Sequence, residues 1–368
     1  MKLLYVAPRY PPHVGGVEYV VKSVAERLAK RGHEVTVLCG EENIDSHKEE
    51  WINSVHVIRW PVQAPGGAYH IPRMRGKLKK LLQDLAKGCD AVHFHSVHSV
   101  LTMYSLSVLR GCGARKVLTP YYHGTGHTFL RKILWRGWRP YIKGLMRSVN
   151  VVHTVSKLEA HLVKRDFGVS ATPIENGVDE WILTVPWSPS DYVMYSGRIE
   201  RYKNIHRLAN IVKILNTHHD LNLKLNIYGT GPYASSLSKH LRKIGITYSI
   251  NPPQPFEKYI ETLSKASLFG LLSEKESYPQ SVNEANAIGV PAVVAEPWGV
   301  NFSDRSRTLI IKLDESDASL AQKIAAFLYE VKNQPKSSDA KETSADTLNI
   351  NYNGNFLCYS PKIKQAFI

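Results

Sequence analysis

The stretch Glu276-Ser277-Tyr278-Pro279-Gln280-Ser281-Val282-Asn283-Glu284, continued by Ala285-Asn286-Ala287-Ile288-Gly289-Val290-Pro291, decides the reading of the fold. The apolar run Leu268 to Leu272 leads into it, and a short helical pattern closes on a glycine and a proline, both helix-stop residues. Strand, loop and helix follow one another. Two carboxylates eight residues apart would stand roughly 80° apart on one continuous helix, so they converge only if Glu276 lies on the loop and Glu284 on the helix behind it. Carboxylates accept hydrogen bonds from the vicinal hydroxyls of a sugar or ribose, and the N–H groups and dipole of a helix N-terminus suit a phosphate between them. That chemistry describes a sugar-nucleotide. Standing alone, the two glutamates fit a solvated helix face equally well.

A second run, Tyr195-Ser196-Gly197-Arg198-Ile199-Glu200-Arg201-Tyr202-Lys203-Asn204, has the same organisation. It follows the apolar Val193 and Met194 and precedes a helix whose Ile205, Leu208, Val212 and Leu215 share one face. Arg198 offers a rigid fork and Lys203 a point charge at the mouth of a strand-to-helix turn, a pattern suited to a diphosphate. Alone, these would be two solvated loop cations.

Together the two runs resemble the retaining glycosyltransferase family 4, enzymes of the two-domain GT-B architecture. The family pairs two glutamates separated by seven residues with an Arg followed five positions later by a Lys and with an N-terminal Gly-Gly. Here these marks read as Glu276 with Glu284, Arg198 with Lys203, and Gly15-Gly16-Val17-Glu18. Three lesser marks are Tyr228-Gly229-Thr230-Gly231-Pro232 after a strand, Asn176-Gly177-Val178-Asp179 between the halves, and Gly289-Val290-Pro291. The resemblance covers about residues 1 to 300.

Apolar segments alternate with helical patterns through the chain. Strands are expected at Leu3–Ala7, Val35–Cys39, Ala91–Phe94, Val117–Thr119 and Val149–Val152, and again at Tyr192–Ser196, Leu223–Tyr228, Leu268–Leu272 and Pro291–Ala295. A helix carrying Val20, Val21, Val24 and Leu28 stops at Gly32. This rhythm predicts an α/β protein with two doubly wound, Rossmann-like parallel-sheet domains facing across a cleft, with the ligand at the strand ends. The expected division is an acceptor domain over 1–180, a nucleotide-sugar donor domain over 181–331 and a polar segment over 332–368. A dinucleotide-binding dehydrogenase is the competing fold, but Gly15-Gly16 lacks the third glycine of its fingerprint and no acid partner is well placed.

The chain has 368 residues, 43% of them hydrophobic, enough for two cores. Its four cysteines, Cys39, Cys89, Cys112 and Cys358, show neither disulfide nor metal-ligand spacing. The N-terminus has only a short apolar run before Arg9 and several prolines, too little for a secretory leader, and no apolar run approaches about 18 residues. A cytoplasmic protein is expected, peripheral to the cytoplasmic face of a membrane if it meets one.

The resemblance implies roles. Glu284 would hold the ribose hydroxyls, Glu276 the donor sugar hydroxyls, and Arg198 with Lys203 the diphosphate. Gly15 and Gly16 would let backbone approach the donor phosphates, as the missing Cβ atoms permit; an ordinary flexible turn is the alternative. Gly229 and Gly231 would also touch the donor, as would the segment of Tyr278, Pro279, Gln280 and Ser281, whose backbone N–H groups would hold the rest. Pro279 supplies no N–H. The resemblance also implies front-face attack rather than a carboxylate nucleophile: the acceptor hydroxyl enters where the nucleotide diphosphate leaves, and the leaving phosphate takes the proton. The protein then chiefly neutralises developing phosphate charge. No metal and no cofactor are expected. His123, within His123-Gly124-Thr125-Gly126-His127, matches the family's histidine loop and would stabilise positive charge at the anomeric carbon. His93, His95, His98 and His127 are assigned packing or acceptor contacts, since a zinc site lacks carboxylate and cysteine partners.

Charge points to the acceptor. Residues 51–150 hold 16 Lys and Arg against 2 Asp and Glu, so 16 − 2 = +14 of the formal +15. Two segments dominate, 73–80 and 131–147, the second interleaving Arg131, Lys132, Arg136, Arg139, Lys143 and Arg147 with Leu134, Trp135, Trp138, Tyr141 and Leu145. Aromatics beside cations favour an anionic membrane surface, although a solvated helix face and a buried aromatic contact fit the two segments too. Nucleic acid also uses such patches, but no binding motif accompanies this one and it is not expected as a partner. The expected function is a hexosyltransferase acting from a nucleotide diphosphate sugar on a lipid-linked or membrane-proximal glycan. A catalytically idle or regulatory nucleotide-sugar-binding protein is the alternative. The chain departs from the family at Val300-Asn301-Phe302, where a second glycine is usual after Gly299, and in the polar stretch Lys332 to Asn355.

Overall fold

A computed structural model describes residues 1–13, 15–124 and 129–333, and side chains throughout these except at 129–132. Val14, the Thr125–Thr128 part of the histidine loop with His127, and most of the polar 332–368 segment with Cys358 lie outside the described residues. The described residues form two compact units that divide between Asn176 and Gly177.

The first unit is built on β1 (Lys2–Ala7), α1 (Gly16–Lys30), β2 (Glu34–Glu41), β3 (Lys48–Ile52), β4 (Val55–Gln63), β5 (Ile71–Pro72), α2 (Arg75–Ala86), β6 (Ala91–His95), α3 (Val100–Val108), β7 (Arg115–Thr119), α4 (Phe129–Met146), β8 (Val151–Thr154), α5 (Lys157–Phe167) and β9 (Thr172–Pro173). The strand order is β3-β4-β2-β1-β6-β7-β8-β9, parallel except that β3 and β5 run antiparallel to β4. Side chains alternate across a strand, and β1 shows the result. Leu3 and Tyr5 pack with Val21, Val24 and Leu28 of α1, while Leu4 and Val6 join the opposite core with Leu78 and Leu82 of α2 and Leu101 of α3. Both faces of the sheet are therefore covered, as a parallel sheet requires.

The second unit follows with α6 (Glu180–Leu183), β10 (Tyr192–Ser196), α7 (Ile205–His218), β11 (Lys224–Tyr228), α8 (Ala234–Ile244), β12 (Tyr248–Asn251), α9 (Phe256–Ser264), β13 (Leu268–Leu271), α10 (Gln280–Ile288), β14 (Ala292–Ala295), β15 (Thr308–Ile311) and α11 (Asp317–Asn333). Its sheet has the order β12-β11-β10-β13-β14-β15, parallel throughout. Order reverses beside β10, so the ends of β10 and β13 flank the place where such sheets take ligands.

The expected alternation is present in both units. The reading passed over β3, β4, β12 and β15, and the two-residue β5 and β9. Pro61 interrupts the apolar pattern of β4, and β12 and β15 are four-residue strands at the two edges of their sheet. Among the described residues no helix is long and apolar enough to cross a membrane.

Candidate active site

At the end of β10, Gly197 takes a φ of +149° and the backbone continues beside the loop that follows β11. Gly197 N donates to Tyr228 O at 3.0 Å and Ile199 N to Thr230 O at 2.8 Å. A Cβ on Gly229 would lie 1.9 Å from the Gly197 carbonyl oxygen, and one on Gly231 2.3 Å from that of Ile199. These two glycines are therefore required by the close approach of two chain segments, a reason independent of any ligand.

Arg198 projects outward, exposed, with Nη1 3.0 Å from Glu200 Oε1. Lys203 turns inward. Asn204, left-handed at φ +54°, starts α7, and its Nδ2 donates to Leu272 O at 3.0 Å, while Glu274 N donates to Tyr202 O at 3.0 Å. These bonds fasten the loop after β10 to the loop after β13 and bring Lys203 Nζ into an ion pair with Glu276 Oε1. Lys203 is 9% exposed. Burial would lower its pKa, but Glu276 and Tyr202 outweigh that and raise it, so the ammonium stays charged. Arg198 and Lys203, alike in sequence, therefore stand in different environments.

As the spacing requires, Glu276 lies in the loop and Glu284 on α10. Pro279 precedes the helix with no capping side-chain bond, and Gln280 Nε2 donates to Gly177 O at 2.6 Å, tying α10 to the start of the unit. Glu284 is 4% exposed. Burial pushes its carboxyl up to about 8 against the hydrogen bond from the Tyr259 hydroxyl, and Asp179 pushes in the same direction as burial. Tyr278, expected near the donor, is buried with its ring stacked on Phe302 at 4.9 Å. The departure at Val300-Asn301-Phe302 thus has a packing use. Its neighbour Trp298 is buried too and donates Nε1 to Ser273 O at 2.6 Å.

Gly15, Gly16 and His123 belong to the first unit. Gly15 is extended and precedes α1; a Cβ there would meet only the flexible Glu18 side chain, and one on Gly16 would meet nothing. His123 stacks on His98 at 4.9 Å, and His98 lies against Trp135 at 4.7 Å. Its loop is pinned on both sides. Tyr122 N donates to Glu159 Oε1 at 2.6 Å, and Arg139 donates to the Gly124 carbonyl at 3.1 Å, the Tyr122 hydroxyl at 2.7 Å and Asp166 Oδ2 at 3.0 Å. Glu159 Oε2 accepts from Val155 N at 2.9 Å, so one carboxyl braces the turns after β7 and β8. His93, His95 and His153 pack together: His93 Nε2 bonds Thr119 Oγ1 at 2.8 Å, which bonds His153 Nδ1 at 2.9 Å. Among the described residues no group of three or more His, Cys, Asp or Glu could hold a metal ion.

Residues 14–181 match the model of glycosyltransferase family 4 and residues 186–344 that of the glycosyl transferases group 1. The chain belongs to glycosyltransferase family 4. It is similar, at 24% identity over 317 residues and 78% of each chain, to N-acetyl-alpha-D-glucosaminyl L-malate synthase of Bacillus anthracis. In fold it is similar to sucrose-phosphate synthase of Thermosynechococcus elongatus, with a TM-score of 0.75 at 17% identity over 100% of this chain and 99% of that one. It is likewise similar to the Anabaena protein HepE in complex with UDP and glucose, with a TM-score of 0.70 at 16% identity over 96% and 98%. This glycosyltransferase is therefore of GT-B type and transfers sugar from a nucleotide sugar.

The structure of the glycosyltransferase corrects one use of the basic segments. Trp135 and Arg139, expected at a membrane surface, face inward. Trp135 is 7% exposed and stacks on Tyr122, Trp138 donates Nε1 to Val97 O at 3.2 Å, and Arg139 is engaged with Asp166. An 18-residue amphipathic helix must bury one face, and on α4 the tryptophans are on it. The outward face instead carries Ile133 and Leu134, 53% and 55% exposed, with Tyr141 and Arg136, and Arg147 is exposed just past its end. The sequence reading missed Glu159 and Asp166. Ser156-x-x-Glu159 directly after a strand is a capping-box signal, and Ser156 Oγ does accept from Glu159 N at 3.1 Å. Nothing local marks Asp166.

Proposed function

We propose that this glycosyltransferase is a retaining hexosyltransferase that moves a hexosyl group from a nucleotide diphosphate sugar to a hydroxyl of a lipid-linked or membrane-proximal glycan. The observation that carries the reading is the arrangement of Lys203, Glu276 and Glu284 at the ends of β10 and β13. There a charged, buried ammonium is paired with one carboxylate, and a second carboxyl stands on α10 beyond an N-terminus that no side chain caps. Lys203 and the more exposed Arg198 fork take the diphosphate, backbone from Ser277 to Ser281 takes a phosphate oxygen, Glu276 takes sugar hydroxyls and Glu284 the ribose. Gly15 and Gly16 present backbone to the phosphates, and His123, held by the Arg139 and Glu159 braces, serves the anomeric centre.

The chemistry follows from that placement. The acceptor oxygen bonds to the anomeric carbon on the face where the diphosphate departs. The bond from that carbon to the β-phosphate oxygen breaks with its electron pair going to the diphosphate, whose oxygen then takes the acceptor's proton. Developing negative charge on the diphosphate meets Lys203, Arg198 and the α10 dipole, which stabilise it without proton transfer from the protein. The outward face of α4, with Ile133, Leu134 and Tyr141 among cations, and the exposed lysines of α2 suit the surface of an anionic membrane where such an acceptor is anchored.

The test is a screen of nucleotide diphosphate sugars by thermal shift, followed by donor hydrolysis and by analysis of the anomeric configuration of the transferred sugar. One donor should stabilise the protein and be hydrolysed slowly, with the anomeric configuration of that donor retained in the transfer product. An inverted product would overturn the retaining reading, and donor binding with no hydrolysis or transfer would make the chain a binding protein.

A further inference from the structure

In the first unit, the carboxyl ends of β2 and β4 border an open surface depression of about 460 Å³, large enough in extent for one sugar ring. Its polar lining is Glu42, Asn43, Gln63 and Arg73, and its apolar lining includes Val62 and Ile71. The wall is built rather than left over. β5 folds back on Val62 and Gln63, Arg73 N donates to Pro61 O at 3.0 Å, and Trp60 Nε1 donates to Arg73 O at 2.8 Å. Asn43, Tyr69, His70 and Met74 all hold φ between +40° and +68°. Non-glycine residues cost of order 1–3 kcal/mol each in such conformations, and that strain concentrates at functional sites.

The charges decide the ligand class. Arg9 Nη2 lies 2.6 Å from Glu42 Oε2, and Arg73 Nη1 lies 3.4 Å from Asp45 Oδ1, so the cations are already faced by carboxylates. His70, 8% exposed behind Ile71, is lowered to about 4 by burial, with Arg9 and His13 acting in the same direction, and is a neutral imidazole. The excess positive charge of this unit lies on α2 and α4. An anion would find no uncompensated cation here, whereas a carboxylate, two exposed carboxamides and a guanidinium match hydroxyl groups, which both donate and accept.

We propose that this concavity binds a neutral pyranose ring of the acceptor, its hydroxyls on Glu42, Asn43, Gln63 and Arg73 and its C–H face on Pro65 and Ile71. The proposal rests on the reading that the acceptor is a glycan. It also gives the enzyme a way to choose its acceptor within the first unit, using residues that play no part in holding the donor.

Saturation-transfer NMR on the full chain tests it, with methyl α-glucoside, methyl β-galactoside, methyl α-mannoside and methyl N-acetyl-β-glucosaminide as probes. At least one sugar should receive saturation, and Asn43→Ala/Gln63→Ala should weaken its binding roughly tenfold through the loss of two hydrogen bonds. Gln63 is exposed, so its replacement should leave the melting temperature alone; alanine at the φ of +60° held by Asn43 should lower it by a few degrees at most, and nucleoside diphosphate binding should be unchanged. Arg73→Ala gives an independent check with the same expected direction. No signal from any of the four sugars, a signal untouched by the variants, or displacement by phosphate would overturn the subsite. Failure of the wild type to bind any nucleoside diphosphate would instead count against the donor reading, so the two can fail separately.

Discussion

Glu159 in the first unit and Glu284 in the second are both buried acids on helices that follow a strand, and burial pushes both up to about 8. Their partners differ. Glu159 spends its two oxygens on the backbone N–H groups of Tyr122 and Val155 and so holds two turns in place. Glu284 has the Tyr259 hydroxyl as its hydrogen-bonding group and Asp179 as an electrostatic neighbour, an arrangement that leaves acceptor lone pairs for another hydroxyl. A buried carboxyl closed by its own backbone is a brace; one with remaining acceptor capacity at a strand-end site suits a ligand. Glu276 is grouped with Glu284, because its partner Lys203 is the charge that the proposed diphosphate would engage as well.

The largest effect that would sharpen this contrast is at Lys203. Lys203→Ala should cost about 3 kcal/mol of stability by leaving Glu276 without its ion-pair partner. It should also lower turnover per folded molecule by roughly 10²–10³-fold, the scale for losing one preorganised charge at the leaving group. Stability loss with unchanged turnover, read by denaturant unfolding and donor hydrolysis, would make the pair a brace like Glu159.

Glu159→Ala should follow, at about 2–3 kcal/mol, since two buried N–H groups lose their acceptor. Glu159→Gln should recover only part of this, because its amide NH2 must face one of the two donors. Donor affinity should change little in either. A smaller effect of opposite sign is expected at Glu284. A carboxyl raised from 4.5 unfolded to about 8 folded holds its proton more tightly in the native state. The stability it carries is full below pH 4.5 and is lost as pH rises towards 8. Glu284→Gln should therefore be more stable than the wild type at pH 8, by roughly 1–3 kcal/mol, and no more stable at pH 4.5. A variant destabilised equally at both pH values would place Glu284 among the braces. The smallest effect lies on α4 and the residue that follows it: Arg136→Glu with Arg147→Glu should weaken co-sedimentation with anionic vesicles by about 1 kcal/mol per residue in low salt and leave neutral vesicles unaffected. Arg139 is unsuited to that test because its replacement would break the pairing with Asp166.

The contrast also explains what could be read from the sequence. Strand–helix alternation and the placement of Glu276 on a loop and Glu284 on a helix follow from local patterns, which period and punctuation encode. The division of labour between Arg198 and Lys203 does not, because Lys203 is turned inward by Asn204 and Leu272, 68 residues apart. The same holds on α4. Its amphipathic period was legible, but the buried face is chosen by Tyr122 and His98, which lie well away in sequence. Charge counting there took Arg139 for a surface cation, although Asp166, 27 residues on, holds it. Glu159 has a capping-box signature, yet its bond to Tyr122 spans 37 residues and only the tertiary fold displays it.

The central claim is that the strand ends of the second unit hold a nucleotide diphosphate, with Glu284 on the ribose and the cations on the phosphates. Calorimetric titration of the wild type, Glu284→Ala and Arg198→Ala with a nucleoside and its diphosphate tests it directly. Glu284→Ala should weaken both ligands by a similar factor, and Arg198→Ala should weaken the diphosphate far more than the nucleoside. Equal loss of both ligands in Arg198→Ala, or unchanged nucleoside binding in Glu284→Ala, would contradict the account.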